Sequence, residues 1–278
     1  MLDKQQGLTI ISLSYQRTTG LATLMDGLLK QNLNGLEIEY IICNNSDQTV
    51  LRPSFFTKIG RLVKKFKDIK ILNSSHNYRC QIRYQLATLA KYETVLFLDD
   101  DVVLLDKNFI FDMWQTHQHL PNNSILSCWC TLWSVWQEDS LTKIDINFKQ
   151  QIINELLLCD TAGPGISMFT KTIIMHPRIL DMTPEFKKSD DMGFSLLANL
   201  TNASQVYYFP SWQRLKFHDT EKNKHAISKE KSYFGNVHAV WKALWKEGYK
   251  PVLERSSPEN KKTHLLAQEK LPTKKVDW

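Results

Sequence analysis

The chain has 278 residues, 42% of them hydrophobic and 23% charged, enough for one large domain or two halves sharing a core. No apolar run approaches the roughly 20 residues that span a bilayer, and the opening stretch MLDKQQGLTIISLSY lacks the charged, apolar and small-residue order of a signal peptide. The formal charge of +6 is concentrated at one end: from Arg214 onward there are 15 Lys and Arg against 8 Asp and Glu. The five cysteines, Cys43, Cys80, Cys128, Cys130 and Cys159, are odd in number. The Cys128/Cys130 pair has no second close pair with which to complete a zinc site, so they read as reduced core residues of a cytoplasmic protein.

In chain order, LTIISLSY is a β-branched apolar run and a buried strand. Leu21, Leu24, Met25, Leu28 and Leu29 then recur at helical spacing, and IEYIIC is a second strand that ends in the loop NNSDQT. LRPSFFTKIGRLVKKF is helical after its proline, IKIL is a third strand, and Ile82, Leu86 and Leu89 mark a helix between Tyr78 and Tyr92. TVLFL is the fourth strand. Strand–helix alternation of this kind predicts an open, mostly parallel α/β sheet. Ligands bind such sheets beyond the carboxyl ends of the strands, so SYQR, NNSD and DDD are expected along one edge. Further on, SILSCWCTLWSV reads as one strand, GISMFTKTII as another after the turn signal Gly163-Pro164-Gly165, and QVYYFP as the final strand. In SDDMGFSLLANL, Ser189 is placed to cap a helix with Asp190 and Asp191 in its first turn.

The fourth strand ends in three consecutive carboxylates, Asp99, Asp100 and Asp101. Three unpaired charges at the end of a buried strand repel one another and are costly to desolvate. A solvated acidic turn is the plainer reading of one acidic pair. Three in a row directly after Val95-Leu96-Phe97-Leu98 favour a divalent-cation site, and oxygen donors suit magnesium or manganese.

The order SYQR, CNN, NSSHNYRCQIRY, ETVLFLDDDV and SDDMGFSLLAN resembles a nucleotide-sugar glycosyltransferase of the GT-A fold. The pattern is similar in particular to the exostosin-type family that builds heparan chains, and next to the large inverting family with a related SYNR and ED pattern. The resemblance covers roughly residues 8 to 212. It implies a GT-A catalytic domain over 1–213, with a nucleotide-binding half (1–105) and an acceptor-side half (106–213), followed by a basic, aromatic extension (214–278).

By that resemblance, Asp101 is a direct metal ligand together with Asp99, and Asp99 or Asp100 meets the ribose hydroxyls. Tyr15, Arg17, Asn44, Asn45, Asn77 and Arg83 match nucleotide-side positions, and UDP is the implied nucleotide. Asp191, with Asp190 beside it, matches a carboxylate near the anomeric carbon. In an inverting enzyme Asp191 is the general base; in a retaining one it stabilises the cationic sugar or positions the acceptor. Helix-dipole complementation alone also accounts for two acids in a first turn. His218 falls where some transferases of this fold supply a third metal ligand, although a lone histidine among lysines is more often a surface residue. The chain departs from the exostosin-type pattern at DTAGPGISMF, where that family has a small-residue GAA segment.

The implied activity is therefore metal-dependent (Mn2+ or Mg2+) sugar transfer from a nucleotide-sugar donor to a glycan or lipid-linked glycan, in surface polysaccharide synthesis. Two other classes fit part of the sequence. DDDVVL resembles the aspartyl-phosphate phosphatase motif, which normally ends a first strand rather than a fourth. A non-catalytic sugar-nucleotide-binding protein has no need to keep both DDD and Asp191. The basic extension shows no nucleic-acid module. Its Val240, Trp241, Leu244 and Trp245 share a helical face that either docks on the core or meets a membrane surface.

Overall fold

The structure is a computed structural model that describes residues 7–46, 53–137, 140–147, 154–163, 165–181, 190–218, 233–252, 271 and 274–276. Its first part alternates strictly: β1 (Gly7–Ser14), α1 (Thr18–Lys30), β2 (Glu37–Asn44), α2 (Pro53–Val63), β3 (Asp68–Asn73), α3 (Ile82–Thr88, entered through a 3-10 turn at Arg79–Gln81) and β4 (Thr94–Leu98). The β1 and β4 runs have no polar face to show to water, and both strands are covered on both sides, as parallel strands require. Helix α1 places Leu21, Leu24, Met25 and Leu28 at i, i+3, i+4 and i+7, and all four are fully buried. Leu89, spaced as if to join the α3 face, is instead exposed beyond the helix end.

After β4 the chain forms β5 (Val102–Leu104), α4 (Phe109–Gln118), β6 (Ser124–Ser127), β7 (Trp129–Gln137), β8 (Ser140–Asn147), β9 (Leu157–Cys159), β10 (Thr161–Ala162), β11 (Ile166–Thr170), α5 (Lys171–Ile174), α6 (Pro177–Leu180), α7 (Asp190–Asn202) and β12 (Gln205–Tyr208). There follow β13 (Leu215–Phe217), α8 (Tyr233–Lys246) and β14 (Lys274–Val276). The central sheet has the order β3-β2-β1-β4-β11-β6-β12-β9. Strands β3, β2, β1 and β4 are mutually parallel, as are β12 and β6, whereas β11 runs antiparallel between β4 and β6. One apolar cluster lies on each face of this sheet. The expected mostly parallel α/β architecture with flanking helices is therefore what the chain adopts.

Three expectations about single elements are corrected. SILSCWCTLWSV is two strands in two sheets: β6 joins the central sheet, and β7 joins a second sheet of order β10-β7-β8-β14. At the break the Ser127 hydroxyl lies within donor reach of the Ile166 carbonyl (2.7 Å) and the Trp129 carbonyl (2.9 Å) and accepts from the Trp129 amide at 3.3 Å. Ser127 is still paired with Ser167 and Tyr208 in the central sheet, while Trp129 pairs with Asn147 in the second, so the change of sheet falls at Cys128. The KTII end of GISMFTKTII turns into the short helix α5. QVYYFP is not the final strand, because β13 and β14 follow it. Ser189, expected as a cap, lies outside the described residues.

The start of the basic C-terminal stretch is tied to the core. Arg214 contacts Asp106 (2.6 Å) and Asp112 (2.5 Å) and lies over the rings of Phe109 and Phe209. This seats β13 antiparallel against β5. Helix α8 buries Val240, Trp241 and Leu244, with Trp241 against the Trp133 ring. Fully buried Asp160 accepts hydrogen bonds from the Tyr249 hydroxyl and the Val252 amide, each at 2.7 Å.

Candidate active site

The strand order reverses between β1 and β4: the chain moves outward from β1 through β2 to β3, then returns to the other side of β1. Such a switch point opens a crevice at the carboxyl ends of the strands. Ser14 ends β1 and Leu98 ends β4 there, and the Ser12 hydroxyl binds the Leu98 carbonyl at 2.6 Å to lock the two ends together. The three aspartates follow Leu98 directly, so their position is a consequence of the topology.

Each aspartate has its own environment. Asp99 donates its amide to the Gly165 carbonyl (2.8 Å), and its carbonyl accepts from the Val102 amide (3.2 Å), which makes the run a tight turn. The Asp99 carboxylate lies 3.3 Å from Arg83 Nη1. Asp100 is fully buried and faces Arg17 Nη2 at 3.2 Å, while neither of its oxygens accepts a hydrogen bond among the described residues. Asp101 Oδ2 accepts from Arg17 Nη1 at 2.8 Å, and its buried Oδ1 has no hydrogen-bond partner there. Burial pushes the Asp100 carboxyl up to about 7, against the pull of Arg17 and with Asp101 and Asp99 adding to the push. Burial and Asp99 also raise Asp101, although Arg17 opposes them. The acidic run is therefore a desolvated cluster rather than a solvated turn.

Two glycines let the backbone close around it. A side chain at Gly20, in the first turn of α1, would lie 2.5 Å from the Asp100 carbonyl oxygen. Gly165 has φ +95°, and a Cβ there would come within 3.3 Å of Asp99 Oδ2 and of the Phe217 ring. Gly165, the last residue of the expected turn, thus contributes the wall against which Asp99 rests.

The second carboxylate pair arrives from α7. Asp190 is buried; its Oδ2 accepts from the Tyr84 hydroxyl at 3.2 Å and lies 4.0 Å from Arg83 Nε. Arg83 is thereby set between Asp99 and Asp190, with Nε also donating to the Cys80 carbonyl (3.1 Å) and the guanidinium 5.5 Å from the Phe97 ring centre. Although burial opposes its charge, Asp99, Cys80 and Asp190 hold this arginine above its ordinary range. Burial likewise raises Asp190, against the pull of Arg83. Asp191 is partly exposed at the helix start, and burial with the adjoining Asp190 pushes it up to about 7.

Of the residues expected at this site, Arg17 with Asp100 and Asp101 and Arg83 with Asp99 and Asp190 form two ion-pair clusters, joined through the consecutive aspartates, with Asp191 next to Asp190 in the chain. Tyr15 is partly buried in the β1–α1 connection. The asparagines are engaged with one another beyond β2 and β3. Asn44 Nδ2 donates to Asn73 (3.2 Å), and Asn45 binds Asn77 Oδ1, the Arg79 carbonyl and the Tyr78 amide at 2.9–3.0 Å. They shape the loop that leads to Arg83, with Arg79 in the left-handed region at φ 56°. His218 is exposed, and its amide donates to the Asp101 carbonyl at 2.8 Å, because β13 carries it to the end of β5. Sequence reasoning missed Tyr84, Cys80 and Phe97. The only signal for Tyr84 is its place beside Arg83 in the same helix.

The donor set suits a hard divalent cation. Asp99 and Asp101 are carboxylates at the crevice, and Asp101 and Asp100 carry buried oxygens without hydrogen-bond partners. Among the described residues no three His, Cys, Asp or Glu side chains form a ready-made metal cage.

No protein-family model matches the chain, and no curated protein matches it. Among solved structures it is similar to S. aureus TarS 1–349, with 17% identity and a TM-score of 0.51 over 74% of this chain and 60% of that one. The crystal structure of TarS 1–349 in complex with UDP matches at 16% identity with a TM-score of 0.48 over 73% and 60%. The chain thus spans less than two thirds of either. The likeness to TarS 1–349 does not reach the exostosin-type family; what it shows is the fold, a Rossmann-like, mostly parallel α/β sheet with flanking helices.

Proposed function

We propose that the protein is a glycosyltransferase that moves a sugar from a nucleotide-sugar donor, with UDP the preferred nucleotide, to a glycan or lipid-linked glycan acceptor in surface polysaccharide synthesis. One observation carries the reading: Arg83 bridges Asp99 at the end of β4 and Asp190 at the start of α7. A charge-neutralising centre and a second acidic pair therefore meet in the crevice of a fold that glycosyltransferases use.

Asp99 and Asp101 are the residues that would hold Mn2+ or Mg2+, which when bound supplies Lewis-acid neutralisation of a diphosphate. The chain's own groups do the rest. Arg17 and Arg83 are cations placed to meet phosphate oxygens. Asp100 and Asp99 are acceptors for ribose hydroxyls, and Tyr15, Asn44, Asn45 and Asn77 form the rim near the base. In an inverting reaction Asp191 accepts the proton of the acceptor hydroxyl, and Asp190 beside it holds its affinity for that proton high. A base whose pKa is about 7 is matched to work near neutral pH.

The test is a screen of nucleotide sugars for transfer or hydrolysis with manganese, run on the parent and two variants. Asp101→Ala removes manganese-dependent binding of a nucleoside diphosphate in calorimetry. Asp191→Asn keeps fold and nucleotide affinity and lowers turnover about a hundred- to ten-thousand-fold, while parent turnover rises with pH through about 7 as Asp191 deprotonates. Near-normal turnover in Asp191→Asn removes that residue from the mechanism. Phosphate release from monoesters without donor turnover selects the phosphatase reading.

A further inference from the structure

Helix α2 carries two exposed stripes. Phe55 and Leu62 face the core with Phe66 just beyond the helix, while Phe56, Gly60 and Val63, at i, i+4 and i+7, lie along the adjoining flank, where the Phe56 ring meets the Phe55 ring edge-on at 5.5 Å. Phe56 and Val63 are 56% and 57% exposed, and a side chain built on Gly60 between them meets nothing within 4 Å. Exposed Arg61 and Lys64 lie on the far side of Gly60 from Phe56 and Val63, and neither has an ion-pair partner among the described residues. The helix has no acidic residue. Nearby acids are already engaged: Asp26 with Lys58, Glu37 with Lys67 and Glu39 with Lys70.

We infer that this face of α2 docks on an anionic lipid surface, with Phe56 and Val63 entering the interface and Arg61 and Lys64 on the headgroups. Charge complementarity selects an anionic partner. The size of the stripe selects lipid over protein, because two side chains on one helix fall far short of the roughly 1,000 Å² that a stable protein interface needs. The basic helix α8, the other aromatic candidate, spends Val240, Trp241 and Leu244 on the core and leaves Trp245 at 38% exposure. The topology gives the contact a use. Because β2 and β3 are parallel, α2 starts at the carboxyl edge of the sheet, so Phe56 in its first turn sits at the end where the crevice opens. A lipid-linked acceptor would be met there; this use rests on the proposed function, whereas the docking does not.

The experiment is co-sedimentation of the full chain, without donor, with phosphatidylcholine vesicles containing or lacking phosphatidylglycerol. Binding is expected to the anionic vesicles only and to weaken with salt. Phe56→Ser with Val63→Ser is expected to weaken it roughly tenfold or more, and Arg61→Gln with Lys64→Gln to remove its salt dependence. Gly60→Leu, which fills open space on the stripe, is expected to tighten it several-fold. All these positions are at the surface and outside the crevice; because Phe56 also touches the Phe55 ring, the melting temperature of each variant is read beside its binding, and the comparison uses variants that stay folded at the assay temperature. Absence of binding, equal binding to uncharged vesicles, or binding unaltered by the Phe56/Val63 pair overturns the inference. So does a concentration-dependent dimer that the same pair abolishes, which would make the face a protein interface. Failure here leaves the donor screen untouched, so the two readings fall separately.

Discussion

Arg17 and Arg83 each hold a pair of aspartates at the same crevice, but at very different depths. Arg17 reaches Asp100 and Asp101 from the β1–α1 connection with 32% of its side chain exposed, whereas Arg83 bridges Asp99 and Asp190 with 7% exposed. The exposed part of the Arg17 guanidinium can be met by water or by a phosphate, although its Nη2 faces the fully buried Asp100. Nothing can replace Arg83, whose guanidinium sits over Phe97 and under α7. Similar charges thus divide the work: one arginine is available to a ligand, and the other joins the two halves of the molecule.

The largest expected effect breaks the deeper pair. Arg83→Leu leaves Asp99 and buried Asp190 without their cation, and the loss is about 3–5 kcal/mol in chemical denaturation. A loss below about 1 kcal/mol would show that Arg83 is no more structural than Arg17. Next comes pH. The Asp100 carboxyl has a folded pKa of about 7 against an ordinary 3.8, so the folded state binds this proton more tightly than the unfolded chain. Stability of the metal-free protein should fall as pH rises from about 4 to 7 and then level off. Asp100→Asn flattens that slope by a few kcal/mol in total, read from melting curves across the range; an unchanged slope would acquit Asp100.

Gly165→Ala probes the wall behind Asp99. A φ of +95° and a 3.3 Å approach to Asp99 predict a loss of about 1–2 kcal/mol, together with weaker nucleotide binding in calorimetry. The smallest effect sharpens the contrast. At pH 6, where Asp100 is largely protonated, Arg17→Gln should cost about 1 kcal/mol of stability or less while lowering nucleotide affinity. An Arg17 variant as unstable as the Arg83 variant would collapse the distinction.

The parts of this site that are legible in the sequence are those set by local pattern. β1 and β4 are largely apolar runs, and β2 becomes one from Tyr40 to Cys43, because parallel strands are buried on both faces. Their order puts SYQR, NNSD and DDD at one edge without any knowledge of side chains. What escaped notice depends on contacts between distant segments. β5 and β13 are three residues each, VVL and LKF, too short to carry a period, yet their pairing brings His218 beside Asp101. Tyr84 looks like one more aromatic on a helix until α7 delivers Asp190 to its hydroxyl. The division of SILSCWCTLWSV rests on which distant strands pair on either side of Cys128, Ser167 and Tyr208 with Ser127 but Asn147 with Trp129, which composition does not show.

β4 is an interior strand only because β11 lies against it, with Ile166 opposite Leu98 and Thr170 opposite Thr94. Those partners are made well after β4 itself during synthesis. Until residues 166–170 leave the ribosome, the emerging TVLFL segment has one open hydrogen-bonding edge, flanked by apolar side chains and followed by three carboxylates. At about 5–20 residues per second the interval lasts on the order of seconds, long enough for edge-to-edge pairing with another nascent chain. The aspartates at the end of this strand then act as gatekeepers against aggregation before they serve any ligand.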